Sequence, residues 1–281
     1  RIGIPKEKIV RLGKKDNFWG PAGDSGVCGP CSELYIDMGE EKGCHKPDCY
    51  VGCDCERYLE FWNLVFNEFF QDTDGKLSPL QNVGIDTGMG LERLCYIMQG
   101  AESNYQTDVM KPIVDSITKK LNIKYEDKNK TKINLIADHL RALVFVIGEG
   151  CIPSNEGRGY VLRRLLRRAL KTANDFGYKN AFLNEITDSV INVYGCIYDN
   201  LPKEENNIKR ILKEEENKFI NTISAGINKL YSVMEDSKDK IIKGSDAFML
   251  FDTYGLPLDI TEEEAGEHGF TIDKEGFEEA M

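Results

Sequence analysis

The sequence predicts an α+β protein in two parts, a sheet with loops over residues 1–110 and a helical part over residues 111–281. Three observations carry this. The chain has 281 residues, more than one hydrophobic core usually spans, which favours two domains. Up to about residue 100, aromatic and β-branched runs are broken by Gly, Pro and Asp in the manner of short strands. Beyond that point the apolar residues recur every three or four positions, the period of amphipathic helices.

In chain order, the strand-like runs are residues 33–37, 57–70 and 83–87, and a short helix over 88–99 sets Leu91, Leu94, Cys95 and Met98 on one stripe. Residues 108–121 read as helix, and the polar stretch 122–132 as the best linker. Leu135, Ala142, Leu143, Val144 and Val146 make 134–147 a buried helix ended by Gly148, Gly150 and Pro153. Helices follow over 159–173 and 184–198. A long amphipathic helix after Pro202 then spaces Ile208, Leu212, Phe219, Ile223, Ile227, Leu230 and Met234 by threes and fours. Residues 245–254 form a helix stopped by Gly255 and Pro257, and Thr261 opens another with acidic residues in its first turn. The chain starts at Arg1 and stops at Met281 within a helical pattern, so it reads as a segment of something longer.

Composition excludes several classes. With 41% hydrophobic, 10% aromatic and 30% charged residues, the chain can bury a core and is not disordered. No apolar run approaches the ~18–20 residues of a membrane span. A net charge of −11 argues against a nucleic-acid-binding surface over the whole protein, but leaves room for a local basic patch. Of nine cysteines, six lie between Cys28 and Cys55, whereas Cys95, Cys151 and Cys196 sit inside apolar patterns. That clustering suits a metal or reduced cytosolic thiols better than a secreted disulfide framework.

Cys44, Cys49, Cys53 and Cys55, interleaved with Gly43, His45, Pro47 and Gly52, have the ligand count and turn residues of a structural zinc site; ordered free thiols are the alternative. Asp86-Thr87-Gly88-Met89-Gly90-Leu91-Glu92-Arg93 places glycines where a strand becomes a helix, and a helix start with an arginine attracts phosphate. An ordinary glycine-rich turn with a surface arginine fits equally well on local chemistry. Between Arg158 and Lys171 stand Arg158, Arg163, Arg164, Arg167, Arg168 and Lys171 with no acidic residue, the footprint of a phosphate-backbone contact or of a solvated basic face.

Longer motifs decide between these readings. VGIDTGMGLERL resembles motif 3 of the class II aminoacyl-tRNA synthetases. Together with DNFWGPAGDSGVCGPCSE, YLEFWNLVF, IADHLRALVFVIGEGCIPSNEGRGYVLRRLLRRA and FDTYGLPLDIT it closely resembles the alanyl-tRNA synthetase family over essentially the whole chain. The resemblance implies the C-terminal part of the antiparallel-sheet catalytic domain followed by an all-α tRNA-recognition domain. It also implies two-step, ATP- and Mg²⁺-dependent attachment of alanine to tRNA(Ala) in the cytoplasm. No counterpart of motifs 1 and 2 is present, so the segment alone is expected not to activate alanine.

Carried over by residue, the resemblance assigns Arg93 to ATP, and Asp86 to the alanine ammonium, as the catalytic pair. Gly88 lies close to the substrate backbone, Gly90 belongs to the nucleotide turn, and Val65 and Trp19 line the methyl pocket. Glu60 and Asn63 face nucleotide or Mg²⁺, or else are polar residues of a half-buried strand. Cys28 and Cys31 match a family loop and are assigned to packing. The tRNA acceptor stem, read in this family at a G·U wobble pair, falls to Asn155, Arg158, Arg163, Arg164, Arg167, Arg168, Lys171 and Asp252. Gly157 replaces an Asn that some members carry, which passes that contact to the backbone or to Asn155; for Asp252 the plain alternative is a helix-end carboxylate. Two rival readings are a non-catalytic RNA-binding module built on the helical half and a zinc-dependent or thiol-redox enzyme built on the cysteine-rich half.

Overall fold

The computed structural model describes residues 3–47, 49–53, 55–237 and 239–281, the side chains of residues 222–224 excepted, so the expected place of Ile223 lies outside the described residues. The chain divides into two compact units, Arg1–Thr107 and Asp108–Met281.

In the first unit β1 (Phe18–Trp19), β2 (Gly26–Asp37), β3 (Tyr58–Gln71) and β4 (Leu77–Met89) form an antiparallel sheet in the order β1-β2-β3-β4, and α1 (Leu91–Gln99) follows at once. β2 and β4 are longer than their apolar runs because the interruptions are tolerated where they fall. Pro79 lies on the edge strand, the place in a sheet where proline is tolerated. Gly29 is pressed so closely on β3 that a Cβ would stand 1.8 Å from the Phe66 carbonyl oxygen, an approach only glycine allows. The β3–β4 turn closes on Asp72, whose Oδ1 accepts from the Asp74 and Lys76 amides (3.1 and 2.8 Å), with Gly75 at φ +78°. Among the described residues of this unit, the buried apolar side chains are Cys28, Cys31 and Val65. Burial of those two thiols accords with packing.

The second unit comprises α2 (Lys111–Leu121), α3 (Asp127–Gly148), α4 (Gly157–Asp175), α5 (Leu183–Ile186), α6 (Asp188–Tyr194), α7 (Asn200–Asp236), α8 (Gly244–Asp252), α9 (Leu258–Glu267) and α10 (Lys274–Ala280). It is not purely helical: β5 (Ile241–Ile242) pairs in parallel with β6 (Thr271–Ile272). The stretch 122–132 is not a linker throughout. Its second half is the opening of α3, solvated and laced by ion pairs such as Lys132–Asp175 (2.8 Å), so its polarity disguised helix as loop. α7 begins before Pro202, which occupies the first turn where no N–H is needed.

The core forms on one stripe of α3, Ile133, Ile136, Ala137, Leu140, Leu143, Val144 and Ile147, all fully buried. Val146, expected inside, falls off that stripe and is 38% exposed. Leu162, Leu166 and Ala169 of α4 and Leu201, Ile208, Leu212 and Phe219 of α7 are buried too, and both helices pack on α3. The expected helix over 184–198 is divided at Thr187, whose hydroxyl bonds back to the Leu183 carbonyl (3.0 Å).

Glu216 of α7 is fully buried and accepts the backbone amides of Phe182, Leu183 and Asn184 (2.8, 2.8 and 3.1 Å) and the Asn184 side-chain amide (2.7 Å). It thereby satisfies the free N–H groups at the start of α5 from another helix. Burial outweighs these bonds and pushes its carboxyl up. Truncation to alanine leaves buried amides without acceptors at ~1–3 kcal/mol each. Glu216→Ala is expected to lower stability by about 3 kcal/mol or more, visible as an earlier urea midpoint of the helical transition; an unchanged midpoint would remove the cap from the account.

Candidate active site

The site is built on pairing register. Asn63 of β3 lies opposite Glu33 of β2 and Gly88 of β4, and Val65 lies opposite Cys31 and Asp86. Residues two apart on a strand share a face, so Asn63, Val65, Asp86 and Gly88 line the same side. With Trp19, Asn67, Thr87 and the loop residues Ala22, Gly23 and Ser25 they surround a cleft of about 430 Å³. The residues assigned to alanine are thus brought together. Gly88 belongs to the strand rather than to the helix start, and among the described residues no atom beyond its chain neighbours lies within 4 Å of where its Cβ would be; its backbone is open to a ligand. Asp86 Oδ1 accepts the Thr87 amide (2.9 Å), and Thr87 Oγ1 accepts from Trp62 Nε1 (2.7 Å).

Glu60 and Asn63 are three residues apart and would face opposite sides of an unbroken strand. Pairing steps from Leu34↔Trp62 to Tyr35↔Glu60, so β3 spends an additional residue, Phe61, at this point. That bulge turns Glu60 to the side of Tyr35 and Asn63. The Phe61 carbonyl accepts the Gly90 amide (3.1 Å), fixing the entry into α1. No side chain caps α1. Arg93, 47% exposed at its side chain, donates Nη1 to the Glu60 carbonyl (2.6 Å), with the Glu60 carboxylate 3.9 Å away. Arg93, Gly90 and Glu60 form one group, about 10 Å along β3 from Asn63.

Sequence reasoning missed Glu33. It accepts Asn63 Nδ2 on Oε1 (2.9 Å) and the Tyr35 hydroxyl on Oε2 (2.6 Å), and Cys31 Sγ lies 3.6 Å from Oε1. Asn63 Oδ1 is buried and has no hydrogen-bond partner among the described residues. Burial and the bond to Glu33 push the Tyr35 phenol up, and burial raises the Cys31 thiol. The available signal was strand alternation, which sets Cys31, Glu33 and Tyr35 on one face.

Cys44, Cys49, Cys53 and Cys55 converge between β2 and β3, with all four sulfurs within 4.8 Å of one another. Cys44 and Cys53 stand 3.8 Å apart, and Cys49 and Cys55 3.6 Å. Four thiolates around zinc at ~2.3 Å would be separated by about 3.8 Å, so the donor set fits that ion. The Arg57 backbone amide draws the Cys55 thiol down to about 7. Arg57 also clamps the base of this loop through its two bonds to Asp37 (3.0 and 3.1 Å), where β2 ends and β3 begins.

In the helical unit the expected basic stripe is largely committed elsewhere. Arg163 is held by Glu215 (3.0 Å), Arg164 by Asp259 (3.6 Å) and Arg168 by Glu263 (3.3 Å). Arg167 lies over the Phe219 ring (5.3 Å to its centroid) and donates to the Gly255 carbonyl (2.8 Å), tying the FDTYG turn to α4. Lys171 is 4% exposed and paired with Glu264 (2.9 Å) and Asp175 (3.2 Å); burial opposes its charge, yet these partners lift its ammonium to about 12. Lys171 as placed has no path to a phosphate, which corrects the reading of six outward cations. Helical spacing reports which residues share a side, not whether another helix covers that side. Asn155, Arg158 and Asp252 are exposed.

A family model described as "tRNA synthetases class II (A)" matches residues 1–281. Similar proteins include the alanine–tRNA ligases of Leptospira biflexa (47% identical over 287 residues), Pelotomaculum thermopropionicum (44% over 285) and Clostridioides difficile (47% over 285). Each alignment covers 100% of this chain but 31–32% of the relative, so the chain spans about a third of their length. With motif 3 folded as the β4–α1 turn and the match running from end to end, the chain belongs to the class II (A) family of tRNA synthetases.

Proposed function

We propose that this chain carries the later part of the aminoacylation domain and the tRNA-recognition helices of a longer, cytoplasmic alanine–tRNA ligase. The supporting observation is the convergence of Asp86, Val65, Trp19 and Gly88 on one small cleft, with Arg93 at the adjoining helix start. In the first step the alanine carboxylate attacks the α-phosphorus of ATP and pyrophosphate leaves, giving alanyl-adenylate. In the second, a hydroxyl of the terminal tRNA ribose takes the alanyl group and AMP leaves.

Asp86 holds the substrate ammonium, and Val65 and Trp19 bound the methyl group. Such a pocket separates alanine from glycine or serine by only ~1–3 kcal/mol. Arg93 exchanges its bond to the Glu60 carbonyl for the nucleotide phosphates, where a guanidinium fork is strongest. Glu60 is the carboxylate on the same group suited to hold Mg²⁺, which when bound neutralises phosphate charge; one or two carboxylates suffice for that ion. The four cysteines hold zinc as a structural ion. The tRNA acceptor stem meets Arg158 and the partly exposed Arg164 and Arg168, with Asn155 and Asp252 as base-reading candidates, while Arg167 and Lys171 support the helix from behind.

Three outcomes test this reading in the full-length protein. Asp86→Asn should raise the alanine KM in pyrophosphate exchange about 100-fold with little change in the ATP KM, whereas Arg93→Ala should lower kcat/KM for ATP by ~10²–10³. Asp252→Ala is expected to reduce charging of tRNA(Ala) at least tenfold while exchange stays intact; equal losses in both assays would refute an RNA-reading role. Elemental analysis should find one zinc fewer in a Cys49→Ser/Cys53→Ser variant than in the wild type, and chelation should make four further thiols titratable and lower the melting temperature of the sheet unit. Free titration of Cys44, Cys49, Cys53 and Cys55 in the untreated native protein would rule the ion out.

A further inference from the structure

The loop over residues 153–158 is held by one guanidinium. Arg163 of α4, 16% exposed at its side chain, donates Nε and Nη2 to Oε2 and Oε1 of Glu215 on α7 (3.0 and 3.3 Å), Nη2 also to the Pro153 carbonyl (3.4 Å), and Nη1 to Oδ1 of Asn155. Glu215 is itself only 10% exposed at its side chain and accepts Lys218 Nζ on Oε1 (2.8 Å). A guanidinium has five N–H donors, and these bonds occupy four of them. Little remains for a phosphate.

The loop is also pressed onto the start of α4. A Cβ on Gly159 would lie 2.2 Å from Ser154 Oγ and 2.4 Å from the Ile152 carbonyl oxygen, and Ser154 Oγ donates to the Glu156 carbonyl (2.8 Å). Because a guanidinium only donates, Asn155 must turn its carbonyl oxygen inward. Its NH₂ group is then the outward one, on an exposed residue beside exposed Arg158.

The geometry points to Arg163 and Glu215 as a positioning pair that fixes the Asn155 amide with its two donors outward, toward acceptors on the minor-groove side of an RNA helix. This rests on the proposed tRNA reading. The wide, shallow minor groove of A-form RNA displays base-edge acceptors and 2′-hydroxyls within reach of such a loop. Arg163, expected from the sequence to contact phosphate, acts instead through Asn155.

The two roles differ in sign at Glu215. If Arg163 were a phosphate contact, removing the charge of Glu215 would free it and leave RNA binding equal or tighter. As a positioning pair, Glu215→Gln should weaken binding of a tRNA(Ala) transcript to the full-length protein about tenfold at every salt concentration. The slope of log K against log [salt] should not change, because no phosphate contact is lost, and pyrophosphate exchange should be unaffected. Equal or tighter binding by Glu215→Gln, or a slope reduced by about one unit in Arg163→Gln, overturns the inference. Asn155→Asp keeps the partner for Arg163 but turns an oxygen outward, and decides the matter even if Glu215→Gln does not fold. It should bind at least tenfold more weakly with an undiminished melting temperature, and wild-type affinity would overturn the inference. Should the wild-type protein not prefer tRNA(Ala) over an unrelated transcript while still exchanging pyrophosphate with alanine, the tRNA reading of the helical unit fails, and the inference with it.

Discussion

Strand β3 is paired on both sides, and its register against β2 and β4 is the constraint from which the cleft follows. One face carries Asn63 and Val65, and the neighbours bring Glu33 and Cys31 from one side and Gly88 and Asp86 from the other. A slip of one residue would turn these groups to the opposite face. The register against β2 is anchored by two shifts, one at Cys28/Cys31 where Gly29 lies against the Phe66 carbonyl, the other at Leu34/Tyr35 where Phe61 is the additional residue. The second shift also shapes the group around Arg93. It brings Glu60 to the face of Asn63 and leaves two neighbouring carbonyls, of Glu60 and Phe61, to receive Arg93 and the Gly90 amide.

The helical unit handles charge differently. Its cations on α4 are matched by acids on α7 and α9, and half of a basic run conspicuous in the sequence, Arg163, Arg167 and Lys171, is an internal seam. Pairs as exposed as Arg164–Asp259 contribute little to stability, whereas Lys171 and Glu264 exclude water and would be costly to break singly. What such a seam gives is placement. Arg167 fixes the turn that follows Asp252, and Arg163 fixes the loop that precedes α4.

Much of this was legible in the residues. The α3 helix followed from period and glycine placement, although the expected strand end at Thr87 falls two residues short of the observed one at Met89, and the motifs located Asp86, Gly88, Val65 and Trp19, which do line one cleft. The cysteine spacing indicated a single cluster, as found. What could not be read was set by partners distant in sequence. Glu33 owes its role to Asn63 thirty positions away, and Lys171 is buried because α9 covers it. A bulge leaves no mark in periodicity, so the residues alone did not show how Glu60 and Asn63, three positions apart, come to share one face. The polar opening of α3 read as a linker because solvated helix and loop share a composition.

The most direct measurement is a crystal structure of the full-length protein with a non-hydrolysable alanyl-adenylate analogue. The account predicts the ammonium within hydrogen-bond distance of Asp86, the methyl group against Val65 and Trp19, and the Arg93 guanidinium moved from the Glu60 carbonyl onto the nucleotide. An empty cleft at saturating analogue, with Arg93 still on Glu60, would contradict it.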